Sequence, residues 1–322
     1  MKAAFTPVVY EHAARFVGRS PWDVSRDGEL LFEAHRLAYA EYRQQVVCVG
    51  IDIYNLEAEA YGAAVEAGSP DAIPAIRQPL LGTLEEGLDL PPFDPARDGR
   101  LPMVLDTARR LREALPEAEV RVPVAGPFSV AFNLLGINQL CLEAALRPEL
   151  TARWLLHLAD NQAVLCRAVA RAGLDIAFFE SAAAPPLLSP GQFREVALPA
   201  LSRMLGLASQ ALGHSVPCIM GGNTYPIVDD LLSTGTNFLV CNAETDQAAF
   251  TARVAACRPE VRVRVNLDPA VLVTDDRAAL LAEVDRVLAA CAGRDTCVIG
   301  TGALPLETPP ANVHAVARYL SL

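Results

Sequence analysis

The chain has 322 residues, of which 52% are hydrophobic and 20% are charged, and its 38 acidic and 27 basic residues give a net charge of −11. A length near 320 residues permits two average domains or one large α/β domain. The acidic balance, spread along the chain without a basic cluster, argues against nucleic acid and anionic membrane surfaces as partners.

One uncharged stretch, residues 122–142, is long enough to span a bilayer. It contains two prolines, two glycines and three amide side chains, which favour a buried strand, a turn and a helix over one lipid-facing helix. The N-terminus lacks the continuous apolar stretch of a signal peptide. The eight cysteines include no Cys-x-x-Cys pair, so no disulfide framework is expected. We therefore expect a cytoplasmic protein without a membrane span.

Short apolar runs alternate along the chain with longer stretches of helical apolar spacing. The predicted strands are, in chain order, 46–52, 121–126, 175–180, 216–220, 238–241, 261–267 and 297–300. The predicted helices are 30–45, 103–114, 148–172, 190–212, 227–234, 278–292 and 310–320. Uninterrupted alternation of strand and helix indicates a parallel sheet.

The number of strands favours a closed barrel over an open sheet. Seven clear strands and a weaker candidate within residues 63–81 predict a (β/α)8 TIM barrel, one domain over 1–322 with an N-terminal helical extension over about 1–44. No Gly-x-Gly-x-x-Gly follows the first predicted strand, which weighs against a dinucleotide-binding fold. In such a barrel, functional residues lie at the C-terminal ends of the strands.

The ends of the predicted strands carry carboxylates, amides and sulfur-containing side chains. The five histidines lie instead on predicted helices or in a turn, so histidine catalysis and a three-histidine zinc centre are not expected. In chain order the strand-end residues are Asp52 with Tyr54, Asn55, Glu57 and Glu59; Phe128; Glu180 and Ser181; Cys218, Met220 and Asn223; Cys241, Asn242 and Glu244; Asn266 and Asp268; and Thr301.

Five motifs in order resemble those of the uroporphyrinogen decarboxylase superfamily, which includes corrinoid-dependent methyltransferases. The resemblance runs nearly end to end and implies the same barrel fold. The motifs are Gly126-Pro127-Phe128 through Gly136, Arg147-Pro148-Glu149, Ser189-Pro190 with Phe193, Asn266-x-Asp268-Pro269, and Gly300-Thr301-Gly302 through Thr308-Pro309-Pro310.

The decarboxylase branch of that superfamily carries an N-terminal Met-Arg-Gln-Ala-Gly-Arg segment, whose guanidinium groups suit a substrate with several carboxylates. This chain has residues 16–23 in that place, and only Arg19 and Arg26 are nearby. The resemblance implies that Asp52 corresponds to the catalytic aspartate of that branch. Alternatively, Asp52 caps or orients a loop.

The methyltransferase branch carries Glu-Ala-Glu before a glycine, and Glu57-Ala58-Glu59 before Gly62 is similar to it. That branch binds zinc through His-x-Cys and a distant cysteine. The zinc ion lowers the pKa of a thiol and presents it as a thiolate to the methyl donor. Cys218-x-Met220 and Thr301 stand at the matching positions here.

Three interpretations of this altered zinc motif stay open. Cys218, Cys241, Glu180 and Met220 could form a variant site for zinc or another soft metal. Cys218 and Met220 could instead be buried packing residues in a protein without a metal. In the third interpretation, the site handles a different methyl donor or acceptor without activating a thiol.

The resemblance implies a methyltransferase that moves a methyl group between a corrinoid and a small acceptor such as a thiol. The chain has no Asp-x-His-x-x-Gly motif of the kind that binds cobalamin. The corrinoid would therefore be methylcobalamin or would be carried by a separate protein. The alternatives are a carboxy-lyase that acts through Asp52 and a catalytically degenerate barrel that only binds a ligand. The oligomeric state stays open, with a homodimer as one option.

The catalytic candidates are Asp52, Glu57 and Glu180, and the candidates for substrate binding are Tyr54, Asn55, Phe128, Asn223, Asn242, Asp268 and Thr301.

Overall fold

Short apolar segments form two four-stranded parallel sheets in the computed structural model, which describes residues 4–321. One sheet has the order β2-β5-β6-β7 and the other the order β8-β9-β10-β1. Together they form the predicted (β/α)8 barrel. The strands are β1 (Phe5–Val8), β2 (Val46–Cys48), β3 (Val65–Glu66), β4 (Ala75–Ile76), β5 (Glu119–Ala125), β6 (Asp175–Phe179), β7 (Cys218–Ile219), β8 (Phe238–Cys241), β9 (Arg262–Asn266) and β10 (Cys297–Ala303).

A threonine side chain links the two sheets between β7 and β8. The Oγ1 atom of Thr236 accepts a hydrogen bond from the backbone N–H of Cys218 at 3.0 Å and donates one to the carbonyl of Val216 at 2.9 Å. The hydroxyl therefore replaces ladder hydrogen bonds that the strands themselves do not make there.

The helices follow the predicted alternation, and several of them begin at a residue whose side chain caps the first turn. The carboxylates of Asp27, Asp246 and Asp276 accept hydrogen bonds from the first backbone N–H groups of α3, α13 and α15. The helices are α1 (Ala14–Val17), α2 (Pro21–Arg26), α3 (Gly28–Tyr42), α4 (Leu56–Ala60), α5 (Leu84–Leu88), α6 (Leu101–Ala114), α7 (Pro127–Leu135), α8 (Ile137–Leu146), α9 (Pro148–Arg171), α10 (Pro190–Gln192), α11 (Leu198–Leu212), α12 (Val228–Ser233), α13 (Gln247–Cys257), α14 (Pro269–Leu272), α15 (Arg277–Ala290) and α16 (Pro310–Ser321).

Alternate residues of the strands enter two separate hydrophobic clusters. The larger cluster fills the layer between strands and helices and includes Val122, Val124 and Val263. The smaller cluster lies inside the barrel, and its members are Val8, Tyr10, Cys48, Ile53, Ala177 and Phe179. Small side chains such as Cys48 and Ala177 leave the barrel interior incompletely filled, in contrast to the packed layers of most TIM barrels.

The eighth barrel strand is not in residues 63–81, where the sequence suggested a weak candidate. That region forms the antiparallel hairpin of β3 and β4, with Val65 paired to Ile76. The eighth strand is β1, which pairs with β10 and changes register between Thr6 and Val8, around Pro7. A four-residue segment that contains a proline gives little strand signal. The expected helical extension over about 1–44 therefore begins with a barrel strand, and residues 1–3 lie outside the described part.

The uncharged stretch 122–142 divides as expected into the end of β5, a turn, α7 and part of α8. Within residues 4–321 no single helix is long and apolar enough to cross a membrane. The adjoining helices α7 and α8 meet the length and composition criteria only together, and they are bent by 116°. The bend is at Gly136, whose φ of +82° is a conformation that favours glycine.

Candidate active site

A cavity of about 360 Å³ opens inside the barrel at the C-terminal ends of the strands. We call it the mouth cavity. Its walls combine apolar side chains such as Phe179 and Ile219 with the polar groups of Asp52, Asn242 and Arg264. Its volume is typical of a small-molecule site, and its position is the one that the fold favours for function.

Side chains at the ends of β6, β8, β9 and β10 alternate between the mouth cavity and the layer under the helices. This alternation places the predicted residues Glu180, Cys241 and Thr301 away from the cavity. The residues that line the cavity are their chain neighbours: Phe179 and Ser181 beside Glu180, Val240 and Asn242 beside Cys241, and Gly302 beside Thr301. On β9, Arg264 and Asn266 line the cavity on either side of the buried Val265. On these strands a period of two therefore separates Glu180, Cys241 and Thr301 from the cavity, whereas in the loop after β2 the adjacent residues Tyr54 and Asn55 both line it.

Asp52 lies at the edge of the mouth cavity, is 4% exposed and is held by hydrogen bonds to both carboxylate oxygens. Arg100 donates to Oδ1 and Oδ2 at 2.7 Å each, and the Nδ2 of Asn55 donates to Oδ2 at 2.9 Å. Arg100 also donates to Glu59 at 2.5 Å. The charge of Asp52 is thus neutralised by a bidentate arginine, and its orientation is fixed.

Glu57 is fully buried beside β5 and does not line the mouth cavity. Its Oε1 accepts a hydrogen bond from the backbone N–H of Ala125 at 2.6 Å, and burial raises its pKa to about 8. Its Oε2 and the Oε1 of Gln162 both lack a partner among the described residues. A proton on Glu57 lets it donate to Gln162, which would satisfy both atoms. In this position Glu57 orients the end of β5.

Glu180 caps the start of α7 instead of facing the cavity. Its carboxylate accepts hydrogen bonds from the backbone N–H groups of Phe128 and Ser129 at 3.0 and 2.9 Å, and from the Ser129 hydroxyl at 2.6 Å. Burial raises its pKa to about 7. The site requires Gly126, because a Cβ atom there would lie 2.1 Å from Oε2 of Glu180.

The predicted metal ligands do not form one cluster, although Glu180 lies near Cys218. Cys218 and Cys241 are buried, and burial raises the pKa of both thiols well above the usual range. Met220 lines the mouth cavity. Residues 4–321 contain no group of three or more His, Cys, Asp or Glu side chains that could hold a metal ion. A zinc or other soft-metal centre therefore does not fit these residues.

Of the predicted substrate-binding residues, Tyr54, Asn55 and Asn242 line the mouth cavity. The hydroxyl of Tyr54 is hydrogen-bonded to that of Ser181, and burial raises the pKa of Tyr54 to about 12. The others serve local structure. Phe128 and Thr301 are buried outside the cavity, Asn223 accepts from the N–H of Tyr225, and Asp268 caps α14 through Ala270.

Two charged residues of the mouth cavity, Glu11 and Arg264, were not among the predicted site residues. Glu11 follows the unrecognised strand β1, lines the mouth cavity and is 9% exposed; burial raises its pKa to about 7. Arg264 lies in the middle of β9 and is 8% exposed. A charged residue inside a predicted buried strand is itself unusual, and this signal could have singled out Arg264.

A chain of amides fixes the floor of the mouth cavity. The Nε of Arg264 donates to Asn266 Oδ1 at 3.1 Å, and Asn266 Nδ2 donates to Asn242 Oδ1 at 2.9 Å. Asn242 Nδ2 in turn donates to the carbonyl of Met220 at 2.9 Å. Each of these side chains is held by hydrogen bonds to its neighbours, so these polar groups are preorganised.

Comparisons with known proteins cover nearly the whole chain. A family model described as uroporphyrinogen decarboxylase (URO-D) matches residues 3–321. A uroporphyrinogen decarboxylase from Gluconobacter oxydans (strain 621H) is 26% identical over 257 residues, which cover 75% of this chain and 70% of that protein.

The solved structures similar to this chain share its fold. A methyltransferase from Methanosarcina mazei superposes with a TM-score of 0.85 at 20% identity, covering 99% of this chain and 93% of that chain. A B12-independent methionine synthase from Shewanella sp. W3-18-1 superposes with a TM-score of 0.59 at 10% identity, covering 99% and 97%.

Proposed function

Because the chain belongs to the uroporphyrinogen decarboxylase family, whose members are enzymes, we propose that it is a methyltransferase whose mouth cavity binds a small methyl acceptor. The methyl donor in this proposal is a corrinoid, either methylcobalamin or a corrinoid on a separate carrier protein. The fold similarity to the Methanosarcina mazei methyltransferase over 99% of the chain supports this branch of the family.

The size and charge of the mouth cavity carry the proposal. Its volume is about 360 Å³, and Arg264 is the one arginine among the described residues that line it. A tetrapyrrole with eight carboxylates needs a larger site and several guanidinium partners. A small acceptor fits both the volume and the single cation.

The state of Asp52 argues in the same direction. A decarboxylase acting through Asp52 needs a free negative charge beside a protonated pyrrole. Here Arg100 donates to both oxygens of Asp52, so its charge is already compensated. The 26% identity to a uroporphyrinogen decarboxylase keeps decarboxylation as the second candidate, because Asp52 does line the cavity.

Glu11 is the carboxyl group best placed to take a proton from the acceptor. It lines the mouth cavity, and its pKa near 7 suits a general base at neutral pH. In the proposed reaction the acceptor loses its proton to Glu11, and its lone pair forms the new bond to the methyl carbon. A methylcorrinoid supplies an electrophilic methyl group and keeps the electron pair of the broken carbon–cobalt bond. The cavity has room for the acceptor only, so the corrinoid would approach from outside.

The test is the absorbance change of methylcobalamin incubated with the protein and a panel of small thiols. We expect demethylation with at least one thiol, and its loss in Glu11→Gln. Glu66→Gln, at a residue whose side chain is 44% exposed in the β3–β4 hairpin, is the matched control and should keep the activity. No demethylation with any thiol, together with release of carbon dioxide from uroporphyrinogen, would establish the decarboxylase alternative. Inactivity in both assays would favour a barrel that only binds a ligand.

A further inference from the structure

Arg264 places a positive charge inside the barrel, between two cavities. It lines the mouth cavity and also a second cavity of about 270 Å³ that extends toward the opposite end of the barrel. Gly300 on the neighbouring strand makes room for it, because a Cβ atom at that position would lie 2.6 Å from Cδ of Arg264. The sequence thus provides space for this side chain.

No carboxylate compensates the charge of Arg264. Within residues 4–321 it forms no ion pair, and its one side-chain hydrogen bond is from Nε to Asn266 at 3.1 Å. The titratable groups that face it are Arg121, Tyr10, Cys48 and Tyr54. Arg121 carries a like charge, and burial raises the pKa of the other three, so they are uncharged at neutral pH.

Such a group is costly unless something pairs with it. Burying an arginine without a counter-charge destabilises a protein, and an apolar side chain would fill the same space without that cost. The two terminal nitrogens of the guanidinium have no hydrogen-bond partner among the described residues, yet both adjoin open cavity space. Two parallel N–H donors of this kind match the two oxygens of one carboxylate.

The surroundings limit the ligand to a single negative group. Phe179, Ile219 and Val240 make the walls apolar, which strengthens one ion pair but leaves further charges without partners. At the outer edge of the same cavity Glu11 repels a second carboxylate when it is ionised, and Arg100 already occupies both oxygens of Asp52. A polyanion is therefore disfavoured, although one carboxylate is favoured.

We infer that Arg264 is the binding site for the carboxylate of a small monocarboxylic acid, held inside the barrel with the remainder of the molecule directed toward Glu11 and Asp52. The identification of this acid as the methyl acceptor rests on the proposed function. The carboxylate site itself does not, because it is argued from the uncompensated guanidinium and the cavities on each side of it.

The test measures binding without any methyl donor, by calorimetric titration of 3-mercaptopropionate and of its neutral analogue 3-mercapto-1-propanol. We expect the acid to bind on the order of tenfold or more tightly than the alcohol, as for hydrogen bonds to a charged group. In Arg264→Gln this preference should fall below about twofold. Arg203→Gln, at an exposed residue of α11 that lines neither cavity, is the matched control and should keep the preference.

Thermal unfolding without ligand provides a second readout that does not depend on binding strength. Arg264→Gln should unfold at a temperature equal to or above that of the wild type, because an uncompensated charge is removed; a purely structural arginine would give the opposite result. Equal affinity for acid and alcohol, no binding of either, or a preserved preference in Arg264→Gln would overturn the inference. A protein that binds the acid but transfers no methyl group would refute the proposed function and leave the carboxylate site intact.

Discussion

The role assigned to Glu57 leads to a quantitative prediction about stability and pH. Its carboxyl is fully buried and accepts a hydrogen bond from Ala125, and its pKa is raised from 4.5 to about 8. The folded protein therefore binds a proton at this site that the unfolded chain releases above pH 4.5. The stabilising effect is present below pH 4.5 and is lost as the pH rises to 8.

The magnitude follows from the pKa difference. Each pKa unit corresponds to about 1.4 kcal/mol, so between pH 5 and pH 9 the free energy of unfolding should fall by about 4 kcal/mol through this group. Glu57→Gln removes the titration but keeps an acceptor for Ala125 and gains a donor for Gln162. The free energy of unfolding of Glu57→Gln relative to wild type should therefore rise by about 4 kcal/mol from pH 5 to pH 9.

Urea denaturation of both proteins at a series of pH values measures this difference directly. Glu113→Gln is the control, since Glu113 is exposed on α6 and 3.9 Å from Arg109. Its difference from wild type should stay nearly constant over the same range. A difference for Glu57→Gln that changes by less than about 1 kcal/mol from pH 5 to pH 9 would show that Glu57 is not a buried, protonated group.

Three further predictions concern the base, the charge network and the helix start. Glu11→Gln should lower the methyl-transfer rate by a factor of about 10² to 10⁴. In a pH–rate profile it should also remove the rise in rate that has an apparent pKa near 7. An unchanged profile would exclude Glu11 as the base. Arg100→Met leaves Asp52 buried without a counter-charge, so the free energy of unfolding measured by urea denaturation should fall by about 3–5 kcal/mol. Arg109→Met, which removes an exposed ion pair, should lower it by less than about 1 kcal/mol. Gly126→Ala should destabilise by about 1–3 kcal/mol because its Cβ meets Glu180. Gly206→Ala, on an exposed face of α11 with open space around it, should instead stabilise by about 0.5–1 kcal/mol, and equal effects at the two glycines would contradict the packing argument.

The fold could be predicted because its strands are continuous apolar runs and its helices have caps and regular apolar spacing. The exception was β1, where Pro7 and the short length of the segment conceal a strand that only its pairing with β10 defines. The hairpin of β3 and β4 took its place in the strand count. Pairing partners distant in the chain are not encoded in local periodicity.

The rim of the barrel could also be predicted, but the direction of each side chain there was not resolved. Asp52, Tyr54, Asn55, Met220 and Asn242 line the mouth cavity as the strand-end argument requires. Glu180, Cys241 and Thr301 are one residue away from cavity positions and therefore face the opposite layer. Applying the period of two along β6, β8 and β10 would have separated these three residues from the cavity-lining residues beside them.

The two residues on which the proposals depend came from the structure. Glu11 depends on the location of β1, and its pKa depends on burial that only tertiary packing creates. Arg264 could be recognised in the sequence as a charge in a buried strand. The absence of a carboxylate beside it could not, because that requires the positions of every neighbouring element.

The central claim is that the mouth cavity binds a small molecule that receives the methyl group. The most direct test is a single reaction containing the protein, ¹³C-methyl-labelled cobalamin, 3-mercaptopropionate and uroporphyrinogen, analysed by ¹³C NMR and by chromatography of the porphyrin products. We predict a labelled methyl thioether that Glu11→Gln fails to form, with uroporphyrinogen unchanged. Formation of coproporphyrinogen without any labelled thioether would contradict the claim.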